Sequence, residues 1–439
     1  MSTINNELLS RNPHAKANER FIHRKNAYRL IPLLFICYLF AHLDRINIGF
    51  AKIQMSTDLG FSNTVYGLGA GLFFISYMLF GVPSNIMLEK VGPRKWIATL
   101  MIVWGLMSTG MLFVRTPYEF YVLRFLLGVA EAGFFPGIVL FINRWFARTR
   151  RAEVMALFAV AVPMAGVIGA PVSGWILEFF NEHEVMAGWQ WMFLLEGLPV
   201  VFLGLLVLGV LPSNFSEARW LTPQEQLQLA ALTEHPSSEG AQGKFSAVLR
   251  SGRVWILVIT YSSVMLAMGV VAFWMPTLIA GTGIKDSHNI GLLTAIPYLL
   301  GCICMVLTGR SSDRLRERRW HVLIPLLAAG SGISIAASAP ELLTTVLIGM
   351  CLATAGATTA LPMFWQLPAS IIGSRDLAIG IAFISSLGSI SSFLSPSLVG
   401  WMRDTTGSAS LALYTLSGLI IVAGLAVLCL PKALVNPQR

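Results

Sequence analysis

Charged residues are scarce in this 439-residue chain. Asp, Glu, Lys and Arg together make up 12% of it, whereas hydrophobic residues make up 55% and the mean hydropathy is +0.69. Soluble globular domains carry about 25% charged residues. From residue 254 to 284, and from residue 377 to 402, the chain has no charged side chain at all. This composition excludes an ordinary soluble domain and indicates a membrane protein with many spans.

Cysteine and histidine are also few, with five and seven residues. We predict no disulfide bond, because all the cysteines lie in apolar stretches where a small, soft side chain packs readily. No His or carboxylate stands at metal-ligand spacing from them, and nucleophile motifs and phosphate-binding glycine loops are missing from the sequence. The sequence therefore argues against a membrane enzyme and predicts neither a metal nor a cofactor. The cysteines are Cys37, Cys302, Cys304, Cys351 and Cys429.

Long apolar runs are the dominant feature that the sequence does have. A membrane-spanning helix needs about 20 predominantly apolar residues. The sequence predicts an all-α membrane protein with twelve transmembrane helices, because it contains twelve such stretches. They lie near residues 29–51, 64–88, 94–114, 118–142, 152–178, 188–211, 254–278, 287–309, 320–339, 342–364, 377–402 and 409–431.

Lys and Arg are distributed unevenly over the predicted connections. Cytoplasmic loops of membrane proteins collect these residues. Placing both termini in the cytoplasm puts all but six of the 31 Lys and Arg on that side. The net charge of +9 therefore reflects topology, and no folded basic domain remains to bind nucleic acid. The six are Lys52, Arg115, Lys285 and Arg403, predicted on the outer side, and Arg45 and Arg124 within spans.

The longest polar interval, residues 212–253, divides the spans six and six. Within it, Thr222, Pro223 and Glu225 are typical of a helix start, so we expect a short helix through about Glu234. Residues 236–243 have the composition of a flexible linker. The predicted divisions are a cytoplasmic tail (1–28), an N-terminal six-helix bundle (29–211), a cytoplasmic linker (212–253), a C-terminal six-helix bundle (254–431) and a second tail (432–439).

Two predicted inner loops repeat one arrangement of charges. After the second span the chain carries Glu89 and Arg94, and after the eighth it carries Asp313 and Arg314. In each loop an acid at a helix end precedes basic residues, so the acid can pair with cations and helix ends across a sliding interface. We interpret these four as gating residues. Ordinary positive-inside charge is the alternative.

Twelve spans in two halves with these loops resemble the major facilitator superfamily, whose inner-loop signature is Gly-x-x-x-Asp-Arg-x-Gly-Arg-Arg/Lys. The second loop, from Gly309, keeps the Gly and the Asp-Arg pair. The N-terminal half is further similar to the anion:cation symporter branch, which moves organic anions with protons, and to its tartrate, sugar-acid and 4-hydroxyphenylacetate permeases. The segments with this similarity are residues 43–50, 82–85, 123–137 and 188–197.

Four ionisable residues lie inside apolar stretches of the first third of the chain. Asp44 and Arg45 share one span; Arg124 and Glu131 share another, seven residues apart and so on one helix face. A charge within a span costs about 2.5–3.5 kcal/mol on insertion scales, so it normally lines a water-filled path or binds something. Asp44 can pair with Arg124 and leave Arg45 for a substrate, or the arginines exchange roles. The alternative is a buried ion pair that only locks helices, which predicts tolerance to paired removal.

The chemistry of these four residues suits proton-coupled anion transport. An anion that binds an arginine weakens the arginine's stabilisation of a nearby carboxylate and so favours protonation of that acid. We expect Asp44 and Glu131 to take up protons and a substrate carboxylate to bind Arg45 or Arg124 in a charge-assisted pair. The neutralised protein then changes between outward-open and inward-open states. The family resemblance implies that Glu131 is the principal coupling site.

Polar and aromatic residues elsewhere are candidates for substrate contact, because hydroxylated or aromatic acids need hydrogen-bond partners or stacking surfaces. His42 lies one turn before Arg45, Asn47 belongs to the same segment, and Tyr77 matches a cavity position in the similar family. We interpret Glu196, near one end of its span, as a structural acid. The C-terminal half adds Trp365, Gln366 and Ser385, with plain helix packing as the alternative for each.

These observations together predict a proton-coupled importer of a small organic anion, with a tartrate-like or sugar-acid carboxylate preferred over an aromatic one. We expect a monomer in the bacterial inner membrane, whose partners are the anion, protons and the lipid bilayer. Four alternatives stay open: an importer of an aromatic carboxylate, an anion exchanger, a drug exporter, or a non-transporting nutrient sensor on a carrier fold. A sensor would keep the arginines but would not need Glu131. Proton flux separates the two, because a proton-coupled carrier moves protons and a sensor does not.

Overall fold

The computed structural model describes residues 13–181, 185–233, 245–373 and 376–436, and every regular element in these ranges is a helix. Twelve segments are long and apolar enough to cross a membrane, which confirms the predicted number. We number them spans 1 to 12 in chain order. Spans 4 and 10 each consist of two consecutive helices, and the other ten are built on one helix each.

The helices of the spans run Pro13–Asp58, Asn63–Val91, Pro93–Gly110, Pro117–Glu131, Phe134–Trp145, Arg148–Phe179, Gly188–Val210, Gly252–Ala280, Ser287–Leu315, Arg319–Ser338, Leu343–Phe364, Pro368–Ile371, Leu377–Thr406 and Ser410–Leu425. Shorter helices lie at Pro223–Thr233, Phe245–Arg250 and Lys432–Val435, and single 3-10 turns lie at Met111–Phe113, Phe215–Glu217 and Ala426–Cys429. The predicted helix after Thr222 is therefore present. Glu234 and residues 236–243 lie outside the described residues.

Span 4 departs from the continuous helix that the sequence predicted over residues 118–142. Its first helix begins with a capping box at Thr116 and Glu119, and it ends at Glu131. A second helix starts at Phe134. Between them, a Cβ atom on Gly133 would lie 1.9 Å from Ser84 Oγ, so the chain approaches span 2 more closely than any other residue would allow. The helix break places Glu131 at a helix terminus in the middle of the bundle.

The linker is held against the N-terminal half. Lys25 Nζ lies 2.8 Å from Glu225 Oε1, and the Trp220 indole N–H donates to Asn26 Oδ1 at 3.0 Å. Burial by itself would raise the pKa of Glu225, but hydrogen bonds from Lys25 and the Thr222 amide outweigh it and hold this pKa below its usual value. The helix Pro223–Thr233 is thus attached to the start of span 1.

The two ends of the bundle differ. We call the end where residues 59–62 connect spans 1 and 2 the Gly60 end, and the end where Gly92 connects spans 2 and 3 the Gly92 end. Both glycines have positive φ, +67° and +87°, which only glycine adopts readily in such short connections. Hydrogen bonds join the N-terminal and C-terminal halves toward the Gly60 end, where Asn63 and Thr64 bind Asp404, and Glu178 binds the Ser287 amide. The halves are therefore closed at the Gly60 end.

Small residues make this closure tight. In the contact between spans 5 and 8, a Cβ on Gly174 would lie 2.4 Å from the Ser287 carbonyl oxygen, and one on Gly291 would lie 2.4 Å from the Ala170 carbonyl oxygen. Spans 2 and 11 meet in the same way, where a Cβ on Gly67 would lie 2.4 Å from the Pro396 carbonyl oxygen. Backbones approach this closely only where side chains are small.

Span 1 is longer than predicted and continues through Lys52 to Asp58. Lys52 is only 6% exposed. Its ammonium lies 3.0 Å from Asn63 Oδ1 and 4.6 Å from the centre of the Trp274 ring on span 7. Cation–π attraction and the amide oxygen stabilise this cation within the contact between the two halves.

Candidate functional site

Arg45 and Glu131 form a direct ion pair near the middle of the N-terminal half. Arg45 Nη2 and Nε lie 2.7 Å and 2.8 Å from Glu131 Oε2. Glu131 is 1% exposed, and its other oxygen, Oε1, is buried without a hydrogen-bond partner. The Arg45 side chain keeps 23% of its surface exposed. One of the predicted anion-binding cations is therefore already bound to the predicted coupling acid in this conformation.

Aromatic rings surround the Arg45 guanidinium. Its central carbon lies 5.2 Å from the ring centres of both Phe73 and Tyr77 on span 2. These distances fall within the range of cation–π attraction. Tyr77, predicted as a substrate contact, thus lies beside the ion pair. His42 lies one turn before Arg45 and its Nδ1 is 3.2 Å from the Tyr38 carbonyl oxygen.

Arg124 is more deeply buried than Arg45, and it has no carboxylate of the described residues within ion-pair distance. It is 2% exposed, and it donates to the carbonyl oxygens of Gly69 and Ala70 at 3.3 Å and 3.4 Å. No Asp or Glu oxygen of the described residues lies within 4.0 Å of it. Asp44 interacts with it electrostatically at longer range. The sequence-based expectation of an Asp44–Arg124 pair is met only as a long-range interaction in this conformation.

Asp44 is buried on the side of span 1 that faces Ser108 of span 3. It is 4% exposed; Ser108 Oγ donates to its Oδ1, and Asn47 Nδ2 donates to the same oxygen at 3.3 Å. Asn47, predicted to contact substrate, therefore contacts Asp44 in this structure and is itself 1% exposed. Sequence reasoning missed Ser108, because a lone serine in an apolar span gives no signal.

The C-terminal half contributes aromatic and small polar residues. Tyr261 on span 7 lies in the neighbourhood of Tyr77 and Arg45, and its ring centre is 4.9 Å from that of Trp365. Sequence reasoning missed Tyr261 as well. Gly388 packs directly against Tyr261, because a Cβ at this glycine would lie 2.3 Å from the tyrosine ring. Ser385 is about one turn earlier on the same helix and therefore lies near this group. Gln366, next to Trp365, has a buried amide oxygen with no hydrogen-bond donor.

The predicted gating residues make few contacts in this conformation. Glu89, Asp313 and Arg314 are exposed and form no ion pair within 4.0 Å among the described residues. Arg94 instead contacts its own half and the linker: it lies 2.9 Å from the Leu208 carbonyl oxygen and 2.9 Å from Glu217 Oε2. All four residues belong to the Gly92 end.

A separate pocket of about 570 Å³ lies at the Gly60 end within the N-terminal half, lined by residues that include Gln54, Asp58 and Gln190. It does not include Arg45, Arg124 or Glu131. The described residues also contain no group of three or more His, Cys, Asp and Glu suited to a metal ion. The charged cluster of spans 1 and 4, facing Tyr77 and Tyr261, is therefore the candidate site.

Comparisons with known proteins agree with this architecture. Residues 34–396 match the Major Facilitator Superfamily. The chain is 43% identical over 94% of its length to "Putative metabolite transport protein NicT" of Pseudomonas putida, 95% of which is covered. It is 42% identical over 94% of its length to a "Putative tartrate transporter" of Agrobacterium vitis, 92% of which is covered. The chain belongs to the Major Facilitator Superfamily, a superfamily of membrane transporters.

Two further likenesses bear on function and fold. A "Quinolone resistance transporter" of Acinetobacter baumannii is 36% identical over 96% of this chain and 97% of its own length. A crystal structure of a bacterial homologue of the human lysosomal transporter Spinster superposes with a TM-score of 0.74 over 91% of this chain and 96% of that chain, at 15% identity. That structural likeness concerns the fold alone.

Proposed function

We propose that this protein is a proton-coupled importer of a small organic anion, a tartrate-like or sugar-acid carboxylate, that works by alternating access. It would reside as a monomer in the bacterial inner membrane with both termini in the cytoplasm. In that orientation the Gly60 end faces outward and the Gly92 end inward. The observation on which the proposal rests is Arg124, a buried guanidinium without a carboxylate in contact, next to an Arg45–Glu131 ion pair.

Charge balance links the anion to protons. Asp44 and Glu131 balance Arg45 and Arg124 when all four are ionised, so an added carboxylate leaves the cluster one charge too negative. An uncompensated charge is costly in a site of low polarity. A proton on Glu131 or Asp44 restores balance when the anion binds. Anion and proton therefore bind together more favourably than either binds alone, as symport requires.

The contacts of Glu131 support its role as the principal proton site. Only one of its carboxylate oxygens, Oε2, accepts hydrogen bonds from Arg45, and Oε1 is buried without a partner. Protonation would release Arg45, whose exposed fraction and aromatic neighbours Phe73 and Tyr77 suit a second contact to the substrate. Asp44, with Ser108 and Asn47 as donors, is the secondary proton site. Trp365, Gln366, Ser385 and Tyr261 would contact the substrate from the other half.

A pH-jump uptake experiment in proteoliposomes tests this proposal. L-tartrate, D-gluconate and 4-hydroxyphenylacetate serve as probes, and wild type is compared with Glu131→Gln and with Glu153→Gln, an exposed acid on span 5. We expect an inward proton gradient to drive accumulation in wild type and Glu153→Gln, whereas Glu131→Gln retains exchange only. Accumulation that ignores the gradient would reject symport in favour of an exchanger, and absence of flux with all probes would favour a sensor or another substrate class.

Paired removal tests the view that the charges only lock helices. The double variant Arg45→Gln with Glu131→Gln removes both partners of the buried pair. We expect it to fold and to lose gradient-driven accumulation. If accumulation persists in the double variant, the pair is structural.

Drug export is the second candidate, because of the similarity to the quinolone resistance transporter. Two buried arginines disfavour cationic drugs, but a carboxylate-bearing drug could bind Arg124 in the same manner as an organic acid. Ciprofloxacin carries a carboxylate and can be added to the same uptake panel. The direction of the proton gradient that drives its movement then separates the two functions: movement with the protons indicates import, and movement against them indicates export.

A further inference from the structure

Glu196 on span 6 is a buried acid without a basic partner. It is 4% exposed, and Ser173 Oγ on span 5 donates to its Oε1 at 2.6 Å. No Lys or Arg nitrogen of the described residues lies within 4.0 Å of it. An ionised carboxylate buried without a cation is costly, so such a group either holds a proton or binds a positive ligand.

Asn47 contacts Asp44 and lies near Glu196. Its amide N–H donates to Asp44 Oδ1 at 3.3 Å, whereas no hydrogen bond joins its side chain to Glu196 in this conformation. Two buried atoms of this group lack a partner: Asn47 Oδ1 and Glu196 Oε2. Both are hydrogen-bond acceptors when Glu196 is ionised. A proton on Glu196 Oε2 turns that oxygen into a donor, and the neighbouring Asn47 Oδ1 is the buried acceptor that needs one.

The helices packed around Glu196 supply hydroxyl groups and one further acid. Span 1 supplies Asp44, span 3 supplies Ser108 and Thr109, and span 5 supplies Ser173. The charged residues of spans 3 and 5 lie at helix ends, away from Glu196. Counted with Glu196, the buried cluster of the N-terminal half has three acids and the two arginines, Arg45 and Arg124. It is neutral when one acid is protonated.

We propose that Glu196 is a further proton-binding site, which shares its proton with the Asn47 amide oxygen and is coupled through that amide to Asp44. The site differs from Glu131, whose partner is Arg45. Its existence does not depend on the proposed substrate or on symport, because the argument uses only contacts within the N-terminal half. In a carrier it would give the protein a third titratable acid linked to the arginines.

Infrared difference spectroscopy of the full chain in lipid bilayers at neutral pH tests this site without any substrate. A protonated carboxylic acid has a C=O stretch that is separate from carboxylate bands and shifts in D₂O. We expect the spectrum of wild type minus Glu196→Gln to contain this acid band. The matched control, Glu153→Gln, removes an exposed acid and should show only carboxylate bands. Loss of carboxylate bands alone in Glu196→Gln would overturn the proposal.

Two milder variants keep the test decisive if Glu196→Gln fails to fold. Ser173→Ala removes the donor to Oε1, and Asn47→Ala removes the acceptor for the proton on Oε2. We expect each to shift the frequency of the acid band, because each removes one hydrogen bond from the same carboxyl group. An acid band that is unmoved in both variants would assign the proton to another residue. Failure of gradient-driven uptake would leave this band unchanged, so the two proposals fail independently.

Discussion

Asp404, near the end of span 11, accepts two hydrogen bonds of 2.6 Å from Thr64, one from its backbone amide and one from its hydroxyl. Asn63 also donates to Asp404 through its backbone amide and its side chain. An acid of the C-terminal half therefore caps the first turn of span 2 in the N-terminal half. Negative charge is favourable at a helix N-terminus, where amide groups lack partners within the helix.

Asp404→Asn should weaken the closure of the Gly60 end. Removing a negative charge from a helix N-terminus costs about 0.3–1 kcal/mol, which corresponds to at most roughly a fivefold change in a two-state population. Spin labels at positions 57 and 406, in a background without native cysteines, report the separation of the halves. We expect a larger fraction of long distances in Asp404→Asn than in wild type. The control Glu119→Gln removes a capping acid within one half and should leave the distances unchanged.

Gly291→Val should prevent the close contact of spans 5 and 8. A Cβ at this position would lie 2.4 Å from the Ala170 carbonyl oxygen, so the two backbones must separate. Labels at positions 181 and 285, one on each side of this contact, should move apart. Gly418→Val on span 12 is the control, because its Cβ would have no atom within 4 Å. Equal distances in both variants would show that the Gly60 end tolerates side chains at this contact.

Glu225→Gln should loosen the linker helix from span 1. The pKa of Glu225 is held below its usual value, because hydrogen bonds from Lys25 and Thr222 outweigh the effect of burial. Its stabilising contribution is therefore present above the ordinary Glu pKa of about 4.3 and is lost as pH falls through the lowered folded value. The contribution should be at most about 1 kcal/mol, as for a partly exposed ion pair.

Hydrogen–deuterium exchange of residues 223–233 measures this attachment. At neutral pH the Glu225→Gln variant should exchange a few times faster than wild type, and the difference should shrink in acid. Gln224→Ala, at an exposed neighbouring position, serves as the control. A difference that persists unchanged in acid would mean that the charge of Glu225 contributes nothing to the attachment.

The sequence was sufficient to predict the twelve spans and the four buried charges. Span length follows from the thickness of the bilayer, and a charge in an apolar run is conspicuous because it is costly. The partners of these charges were not predictable. Arg45 and Glu131 are 86 residues apart, and their contact depends on how spans 1 and 4 pack and on the helix break after Glu131.

Neutral members of the site gave no signal in the sequence. Ser108 and Tyr261 lie in apolar spans where Ser and Tyr are ordinary residues, so only the packing of the helices reveals their contacts with Asp44 and Trp365. Glu196 was visible as an acid in an apolar span, but its neighbours Ser173 and Asn47 lie on other spans. Long-range contacts between helix faces are the part of such a site that local sequence patterns do not specify.

Conservative replacement of the two arginines should separate anion binding from proton coupling. Arg124→Lys keeps a positive charge but loses the geometry that holds the guanidinium between the Gly69 and Ala70 carbonyl oxygens. A lysine also lacks the planar, two-pronged donor set that matches a carboxylate. We therefore expect the KM for the transported acid to rise at least about tenfold, equivalent to about 1.4 kcal/mol, with gradient-driven accumulation retained at saturating substrate.

Arg45→Lys should have the opposite pattern. Its main contact is Glu131, so a weaker, more hydrated cation changes the proton affinity of that acid more than it changes the binding of the anion. We expect a modest change in KM and a shifted pH dependence of uptake. We also expect less accumulation of the acid than in wild type at the same proton gradient. The measurement is uptake against external pH for both variants under identical gradients. If Arg45→Lys instead raises KM strongly while Arg124→Lys leaves it unchanged, the substrate carboxylate binds Arg45 and the two arginines exchange the roles proposed above.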